Sequence, residues 1–272
     1  MSALPGGDGL LAGDATKACC ASIYESEAVR WLLGDELHPG GAQLTLRAAA
    51  LAGLADGERA LDVASGAGTT ARLLARQLGV MAVGVDYGAD AVARARDQTQ
   101  LDGLDDRVSF VRGDAEALPF PAASFDVAIC ECSLCTFPDK HAAVAEMDRV
   151  LRPGGRVAIT DMTANLAELP PPLRTAAAQM ACVADALPCE GYVRLLESAG
   201  FEIVAVEDHG DALAVLLDRV EARLRAARIL GAAQLGEYAD QLDLGVELAQ
   251  LARRELDAGR LGYSLLVARK PG

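Results

Sequence analysis

The sequence is short of the residues that nucleic-acid-binding proteins use. Aromatic residues make up 4% of the 272 residues, and 25 Lys and Arg stand against 39 Asp and Glu, which gives a formal charge of −14. Because phosphate binding needs clustered basic side chains and base stacking needs aromatic ones, this composition excludes a nucleic-acid partner from our expectations. Hydrophobic residues make up 51% of the chain, enough to bury one α/β core with an appendage.

Long apolar runs and an export signal are also missing. No stretch reaches the ~18 uninterrupted apolar residues of a membrane-spanning helix, and the N-terminus has no basic region followed by an apolar run. We therefore expect a cytoplasmic protein without a membrane partner. Seven cysteines in such a chain should be mostly reduced, and an odd number cannot pair completely, so a disulfide scaffold is not expected.

Short apolar runs alternate with helical periods through most of the chain. The runs predict strands at 60–63, 80–85, 108–111, 125–129, 155–160, 201–207 and 262–268. Helices are predicted at 23–33, 42–54, 70–78, 90–101, 141–151, 173–187 and 190–199, and two more across 212–256 with a break near Gly231. This alternation predicts an α/β fold with right-handed crossovers and a parallel sheet covered by helices on both faces.

Three parts follow from this pattern. Residues 1–57 form an N-terminal arm and helices, and residues 58–170 form a nucleotide-binding core. Residues 171–272 contain substrate-side helices, the last two strands and a helical insertion.

A glycine-containing loop follows the first predicted strand. Gly66 and Gly68 leave the backbone open to a ligand at the carboxyl end of that strand, where open α/β sheets bind nucleotides. Asp86 ends the second strand 24 residues after Asp62, and a carboxylate there can accept both ribose hydroxyls. After the third strand, Asp114 can accept an adenine amino proton. The dinucleotide alternative requires a complete Gly-x-Gly-x-x-Gly, and position 71 is Ala.

With Leu-Arg-Pro-Gly-Gly-Arg at 151–156, these motifs resemble the class I S-adenosylmethionine-dependent methyltransferases over about residues 58–207. The resemblance implies S-adenosylmethionine as cofactor and a Rossmann-like seven-stranded sheet, mostly parallel, whose last two strands form an antiparallel pair at one edge. At position 64 the family usually has Gly, and a methyl group there should only tighten the loop. The implied cofactor-binding residues are Asp62, Ala64, Gly66, Gly68, Asp86, Tyr87, Asp114, Ala115 and Glu131.

Three cysteines lie at the end of the fourth predicted strand, at positions 130, 132 and 135. Alternation along an extended backbone puts Cys130 and Cys132 on one face and Glu131 on the other. Thiolates select soft acceptors such as zinc, copper(I) or trivalent arsenic. A structural zinc site would need a second cysteine pair at the usual distance, which this sequence lacks.

The thiol-containing stretches resemble the arsenite S-adenosylmethionine methyltransferases, most continuously over residues 124–201. The similar features are a Cys-Cys pair at 19–20, Glu131-Cys132 leading into Pro-Asp-Lys at 138–140, and Cys182 after the fifth strand. Two cysteines usual in that family, before the first strand and near the C-terminus, are missing.

That resemblance implies that trivalent arsenic, held by thiolates, attacks the sulfonium methyl in line without a general base. The implied arsenic ligands are Cys20, Cys132 and Cys182, with Cys19, Cys135 and Cys189 ranked below them. Glutathione or another small thiol would deliver arsenite, and a thioredoxin-like reductant would reset any disulfide.

Two alternatives remain open from the sequence. In one, the chain methylates a small organic acceptor with His38 or Glu131 as the base, and the cysteines serve only in packing. In the other, it is a non-catalytic thiol protein that sequesters metalloid on a retained cofactor fold.

Overall fold

A computed structural model describes residues 17, 31–33, 38–174, 183, 185–231 and 239–272. Seven strands form one sheet in the order β3-β2-β1-β4-β5-β7-β6. Every neighbouring pair is parallel except those of β7, which runs antiparallel to both β5 and β6. The predicted Rossmann-like fold class, with its antiparallel last strand, is therefore confirmed.

The elements alternate along the chain as the hydrophobic pattern predicts. The strands are Arg59–Val63 (β1), Met81–Asp86 (β2), Val108–Arg112 (β3), Phe125–Glu131 (β4), Leu151–Ala164 (β5), Glu202–Asp208 (β6) and Leu261–Arg269 (β7). The helices are Gly41–Leu51 (α1), Thr69–Leu78 (α2), Ala89–Leu101 (α3), Lys140–Val150 (α4), Cys189–Ser198 (α5), Gly210–Gly231 (α6) and Ala239–Asp257 (α7).

Two regions depart from the predicted elements. Strand β5 is longer than expected because β7 pairs with it from Arg156 to Ala164. The predicted helix at 173–187 is not present in the residues that the structure describes there: Pro171–Arg174 form a 3-10 turn, and Leu187 pairs with Thr163 in an isolated bridge. The prolines at 170–172 explain why residues 171–174 form a short 3-10 turn and not an α-helix. Each proline lacks a backbone N–H and restricts the residue before it. Of the helix predicted at 23–33, residues 31–33 are described and helical.

The core lies on both faces of the sheet. Val127 and Ile129 of β4 join a cluster with α1, α2 and α3, whereas Ala128 and Cys130 join a second cluster with α4 and α5. This alternation is typical of a sheet buried on both sides, and it leaves the carboxyl ends of the strands as the edge at which a ligand can enter.

The helical insertion lies between β6 and β7. Helices α6 and α7 pack against each other and against β7, and α6 ends at Gly231, where the sequence pattern predicts a break. On α6, the Arg223 guanidinium donates to the backbone carbonyls of Trp31 and Leu32, at 2.9 and 2.8 Å. No helix in the described part of the chain is both long enough and apolar enough to cross a bilayer.

Gly68, which precedes α2, is confined by its backbone angle and by its neighbours. Its φ is +76°, and a Cβ at this position would lie 2.2 Å from Cζ of Phe110. Gly57 has a similar φ of +78°, but a Cβ there would meet no atom within 4 Å. The pair therefore separates the effect of the backbone angle from that of the collision.

We expect Gly57→Ala to lower the free energy of unfolding by about 1 kcal/mol, since only the left-handed angle penalises it. Gly68→Ala should lower the free energy by roughly 2 kcal/mol more, because the Phe110 ring must also move. Urea denaturation of the two variants and the parent protein measures this difference. Equal losses in both variants would show that the packing of Phe110 against Gly68 is not tight.

Candidate functional site

The loop between β1 and α2 is held from the side by Asp86. One carboxylate oxygen of Asp86 accepts the N–H of Gly66 at 2.7 Å, and the other accepts the N–H of Gly88 at 2.8 Å. Gly66 has φ +52°, with no atom within 4 Å of where its Cβ would be. The loop backbone therefore borders open space next to a fixed carboxylate, at the carboxyl end of the strands.

Asp62 also fixes this loop, at the end that leads into α2. Its side chain is buried, and its Oδ2 accepts the N–H of Ala71 in the first turn of α2, at 3.2 Å. Burial, followed by the negative charge of Glu131, raises the pKa of Asp62 well above its ordinary value. These contacts fit a residue that supports the loop, and direct contact between Asp62 and the cofactor stays a prediction.

Ala64 adopts a backbone conformation that favours glycine. Its φ is +58°, a left-handed angle that costs roughly 1–2 kcal/mol for a residue with a Cβ. The departure from the family pattern at this position therefore strains the loop, beyond the tightening that the sequence suggested.

The loop after β3 carries the acidic residue predicted for adenine. Asp114 Oδ1 accepts the N–H of Glu116 at 2.9 Å, and its Oδ2 lies 2.7 Å from the ammonium of Lys17. Tyr87 and Ala115 follow β2 and β3 at the same edge of the sheet, and both are partly buried. The predicted cofactor residues after β1, β2 and β3 thus share the carboxyl edge of one sheet.

At the end of β4, the carboxylate of Glu131 is fixed by two hydroxyl groups. Thr45 Oγ1 lies 3.0 Å from each carboxylate oxygen, and Thr70 Oγ1 donates to Oε2 at 2.6 Å. His38 Nε2 lies 3.6 Å from the same Oε2, while its Nδ1 is 3.1 Å from the carbonyl oxygen of Pro39. Only 5% of the Glu131 side chain is exposed, so the pair is largely shielded from water.

The two threonines were not found from the sequence. Thr70 lies inside the glycine-containing loop motif, where its hydroxyl is a usable signal, whereas Thr45 lies in α1 with nothing in the pattern to mark it. Their shared contact with Glu131 brings together α1, α2 and β4.

The prediction that Cys130 and Cys132 share a face is wrong. Cys130 is buried in the second core cluster, whereas Cys132 packs against the first. The strand ends at Glu131, and Cys132 takes a left-handed φ of +51° while its N–H donates to the carbonyl of Thr160. Strict alternation holds only along an extended backbone, so this turn reverses the direction of the side chain.

The other two described cysteines differ in their surroundings. Cys135 is buried in the first cluster, the one against which Cys132 packs, and its N–H donates to Asp161. Cys189 begins α5 and is half-buried. Burial raises the pKa values of Cys130 and Cys189, which disfavours the thiolate form that binds metals. Cys19, Cys20 and Cys182 lie outside the described residues. Within the described ranges, no three His, Cys, Asp or Glu side chains are grouped to hold a metal ion.

We expect Asp62→Asn to stabilise the protein increasingly as the pH rises. The folded state favours protonated Asp62, so the parent protein loses stability as the pH increases from the ordinary carboxyl pKa, near 3.8, through the raised value. Asparagine keeps an acceptor for Ala71 but carries no charge. Urea denaturation between pH 4 and pH 8 should give a flatter stability profile for the variant, and two parallel profiles would contradict the raised pKa.

Comparison with known proteins finds methyltransferases. A family described as a methyltransferase domain matches residues 61–159. The 27-O-demethylrifamycin SV methyltransferase of Amycolatopsis mediterranei is 32% identical over 256 residues, which cover 88% of this chain and 92% of that protein. The ubiquinone/menaquinone biosynthesis C-methyltransferase UbiE of Pseudomonas aeruginosa is 33% identical over 147 residues, covering 53% of this chain and 57% of that protein.

Solved structures share the whole architecture. The 4+2 cyclase SpnF superposes with a TM-score of 0.77 at 25% identity, covering 94% of this chain and 97% of that one. Phosphoethanolamine N-methyltransferase 2 of Haemonchus contortus, in complex with S-adenosyl-L-methionine, gives a TM-score of 0.79 at 22% identity, covering 97% of this chain and 61% of that one.

The residues present fit S-adenosylmethionine, which is the cofactor of this protein. The open backbone at Gly66 leaves room for a ligand, and Asp86 and Asp114 place carboxylate oxygens, which can accept from hydroxyl and amino groups, at the same edge. Because the relative that matches almost end to end is a methyltransferase, the chain belongs to the class I S-adenosylmethionine-dependent methyltransferases.

Proposed function

We propose that this enzyme methylates a hydroxyl oxygen of a small organic acceptor, with His38 as the general base. The observation that carries the proposal is the position of His38 Nε2, 3.6 Å from a Glu131 carboxylate that Thr45 and Thr70 hold in place. An oxygen nucleophile must lose its proton during methyl transfer, and a histidine paired with a carboxylate is suited to take that proton.

We propose that Nδ1 of His38 carries the proton, because the Pro39 carbonyl oxygen 3.1 Å away can only accept. The lone pair of Nε2 is then available to the acceptor hydroxyl. When Nε2 takes that proton, the imidazolium charge lies beside the carboxylate of Glu131, which stabilises it. The threonine hydroxyls keep the carboxylate in position throughout.

The cofactor site proposed from the sequence is compatible with this arrangement. S-adenosylmethionine supplies a methyl group on a positively charged sulfonium. We propose that Gly66 and Gly68 let the loop backbone approach the cofactor, that Asp86 accepts the ribose hydroxyls, and that Asp114 accepts the adenine amino group. Glu131 then lies between the cofactor loop, through Thr70, and the acceptor base His38.

Similarity to the rifamycin-modifying enzyme supports an oxygen acceptor. The name of that relative describes a substrate lacking a methyl group on an oxygen, and the similarity covers both the core and the C-terminal helices. Methyltransferases whose names describe carbon acceptors, such as the quinone-biosynthesis enzyme, match little more than half of the chain. We therefore favour a hydroxylated organic acceptor of natural-product size.

Arsenite remains a second candidate acceptor. It is favoured by Cys132, which directly follows Glu131 at the end of β4 and lies near the buried phenol of Tyr263. The other two proposed ligands, Cys20 and Cys182, lie outside the described residues. Delivery by glutathione and a thioredoxin-like reductant belong to this candidate alone.

For the cofactor site, we expect Asp86→Ala to weaken binding of S-adenosylhomocysteine by about 10-fold or more, because the ribose hydroxyls lose a charged acceptor and the Gly66 N–H loses its partner. Isothermal titration calorimetry measures the change. Asp97→Ala, an exposed carboxylate on α3, is the matched control and should bind as the parent does. Equal affinity in both variants would remove Asp86 from the cofactor site.

For the acceptor site, His38→Gln should lower kcat by about 100-fold or more on a hydroxylated substrate while S-adenosylhomocysteine affinity stays within about twofold. Release of S-adenosylhomocysteine is measured with 27-O-demethylrifamycin SV and a set of hydroxylated macrocycles, and in parallel with arsenite plus glutathione. Cys132→Ser is the comparison variant and should keep activity on organic acceptors. Turnover of arsenite alone, lost in Cys132→Ser and kept in His38→Gln, would replace our proposal with the arsenite reaction.

A further inference from the structure

Lys17 is the one described residue before position 31, and it contacts Asp114, the residue that we propose accepts the adenine amino group. Its ammonium lies 2.7 Å from Asp114 Oδ2 and 2.5 Å from Glu116 Oε2, and only 12% of its side chain is exposed. A lysine bound between two carboxylates 97 and 99 residues away is more enclosed than an ordinary surface ion pair.

Both carboxylates are also fixed from their other sides. Asp114 Oδ1 accepts the N–H of Glu116, and Glu116 Oε1 accepts the N–H of Asp139, the residue that caps α4. Burial alone would lower the pKa of Lys17, but the hydrogen bonds that it donates to both carboxylates, together with their negative charges, outweigh burial and raise the pKa. The ammonium therefore stays charged and compensates two adjacent negative groups.

We propose that Lys17 is a positioning residue of the cofactor site, which holds the Asp114 carboxylate in the orientation that accepts the adenine amino group. A carboxylate offers about four lone-pair sites, and Lys17 and the Glu116 N–H occupy two of them. The remaining sites are available to an adenine amino group, so Lys17 and the cofactor can share Asp114. Without Lys17, repulsion from Glu116 turns the Asp114 carboxylate away.

Lys17 also attaches the N-terminal part of the chain to the proposed cofactor site. Between residues 17 and 38, the described part of the chain contacts the rest of the protein at Asp114, at Arg223 of α6 through the carbonyls of Trp31 and Leu32, and at Glu131 through His38. Lys17, residues 31–32 and His38 are thus held at three separate places: Asp114, α6 and Glu131.

The inference rests on the proposed role of Asp114 and is independent of the acceptor, so its test uses binding. We compare Lys17→Met, Lys17→Arg and Asp114→Asn by calorimetry with two ligands, S-adenosylhomocysteine and S-inosylhomocysteine, which carries an oxygen in place of the adenine amino group. Lys140→Met is the matched control, because Lys140 forms a similarly enclosed ion pair with Asp185, its side chain 10% exposed.

We expect Lys17→Met to weaken S-adenosylhomocysteine binding by about 10-fold and to reduce the preference for the amino-bearing ligand, as Asp114→Asn does. Lys17→Arg should restore most of the affinity, and Lys140→Met should change neither quantity. In the double variant with Asp114→Asn, loss of Lys17 should add little, because both act on the same contact.

Three results would overturn the inference, and they are distinguishable. If Asp114→Asn lowers the preference and Lys17→Met does not, the ion pair has no part in recognition. If Lys17→Met weakens both ligands equally and lowers the melting temperature of the ligand-free protein, its role is structural. If Asp114→Asn itself leaves both affinities unchanged, the proposed adenine contact fails and the inference fails with it, while the proposed acceptor chemistry at His38 is untouched.

Discussion

Two carboxylates hold the backbone of the loop after β1, and the geometry of the cofactor cleft depends on them. Asp62, at β1, accepts the N–H of Ala71 at the start of α2, and Asp86, at the end of the neighbouring strand β2, accepts the N–H of Gly66. Because these contacts use backbone N–H groups, they determine the path of the loop and keep the space at Gly66 open. The strained angle of Ala64 persists in the same loop, since the surrounding contacts over-determine its conformation.

A third carboxylate, that of Glu131, joins elements that are distant in the sequence. The Glu131 carboxylate accepts hydrogen bonds from the hydroxyl groups of Thr45 and Thr70, 86 and 61 positions away, and it lies beside His38. The cofactor loop, the first helix and the proposed base therefore meet at one side chain at the end of β4. Movement of any one of these elements would therefore shift Glu131 and, through it, the other two.

The sequence predicts most of the elements and the loop residues, because hydrophobic period and glycine placement are local signals. It does not predict which side chains meet across the fold. Thr45 and Lys17 carry no local signal, Thr70 is marked only by its place in the glycine-containing loop motif, and the partners of all three are tens of residues away. The sequence pattern also predicts the wrong face for Cys132. The left-handed backbone conformation of this residue reverses the side-chain alternation on which the prediction rests. Close spacing of cysteines in sequence therefore did not bring their thiols onto one surface.

The helical insertion leaves and rejoins the sheet between two strands that are directly paired. Strands β6 and β7 pair antiparallel, with Asp208 opposite Ser264 and one shift of register between Ile203 and Ala205, while α6 and α7 extend from the connection between them. The length and composition of this connection are thus separable from the pairing that holds the sheet together. An exchange of the residues from α6 through α7 would therefore leave the β6–β7 pairing and the loops after β1, β2 and β3 in place.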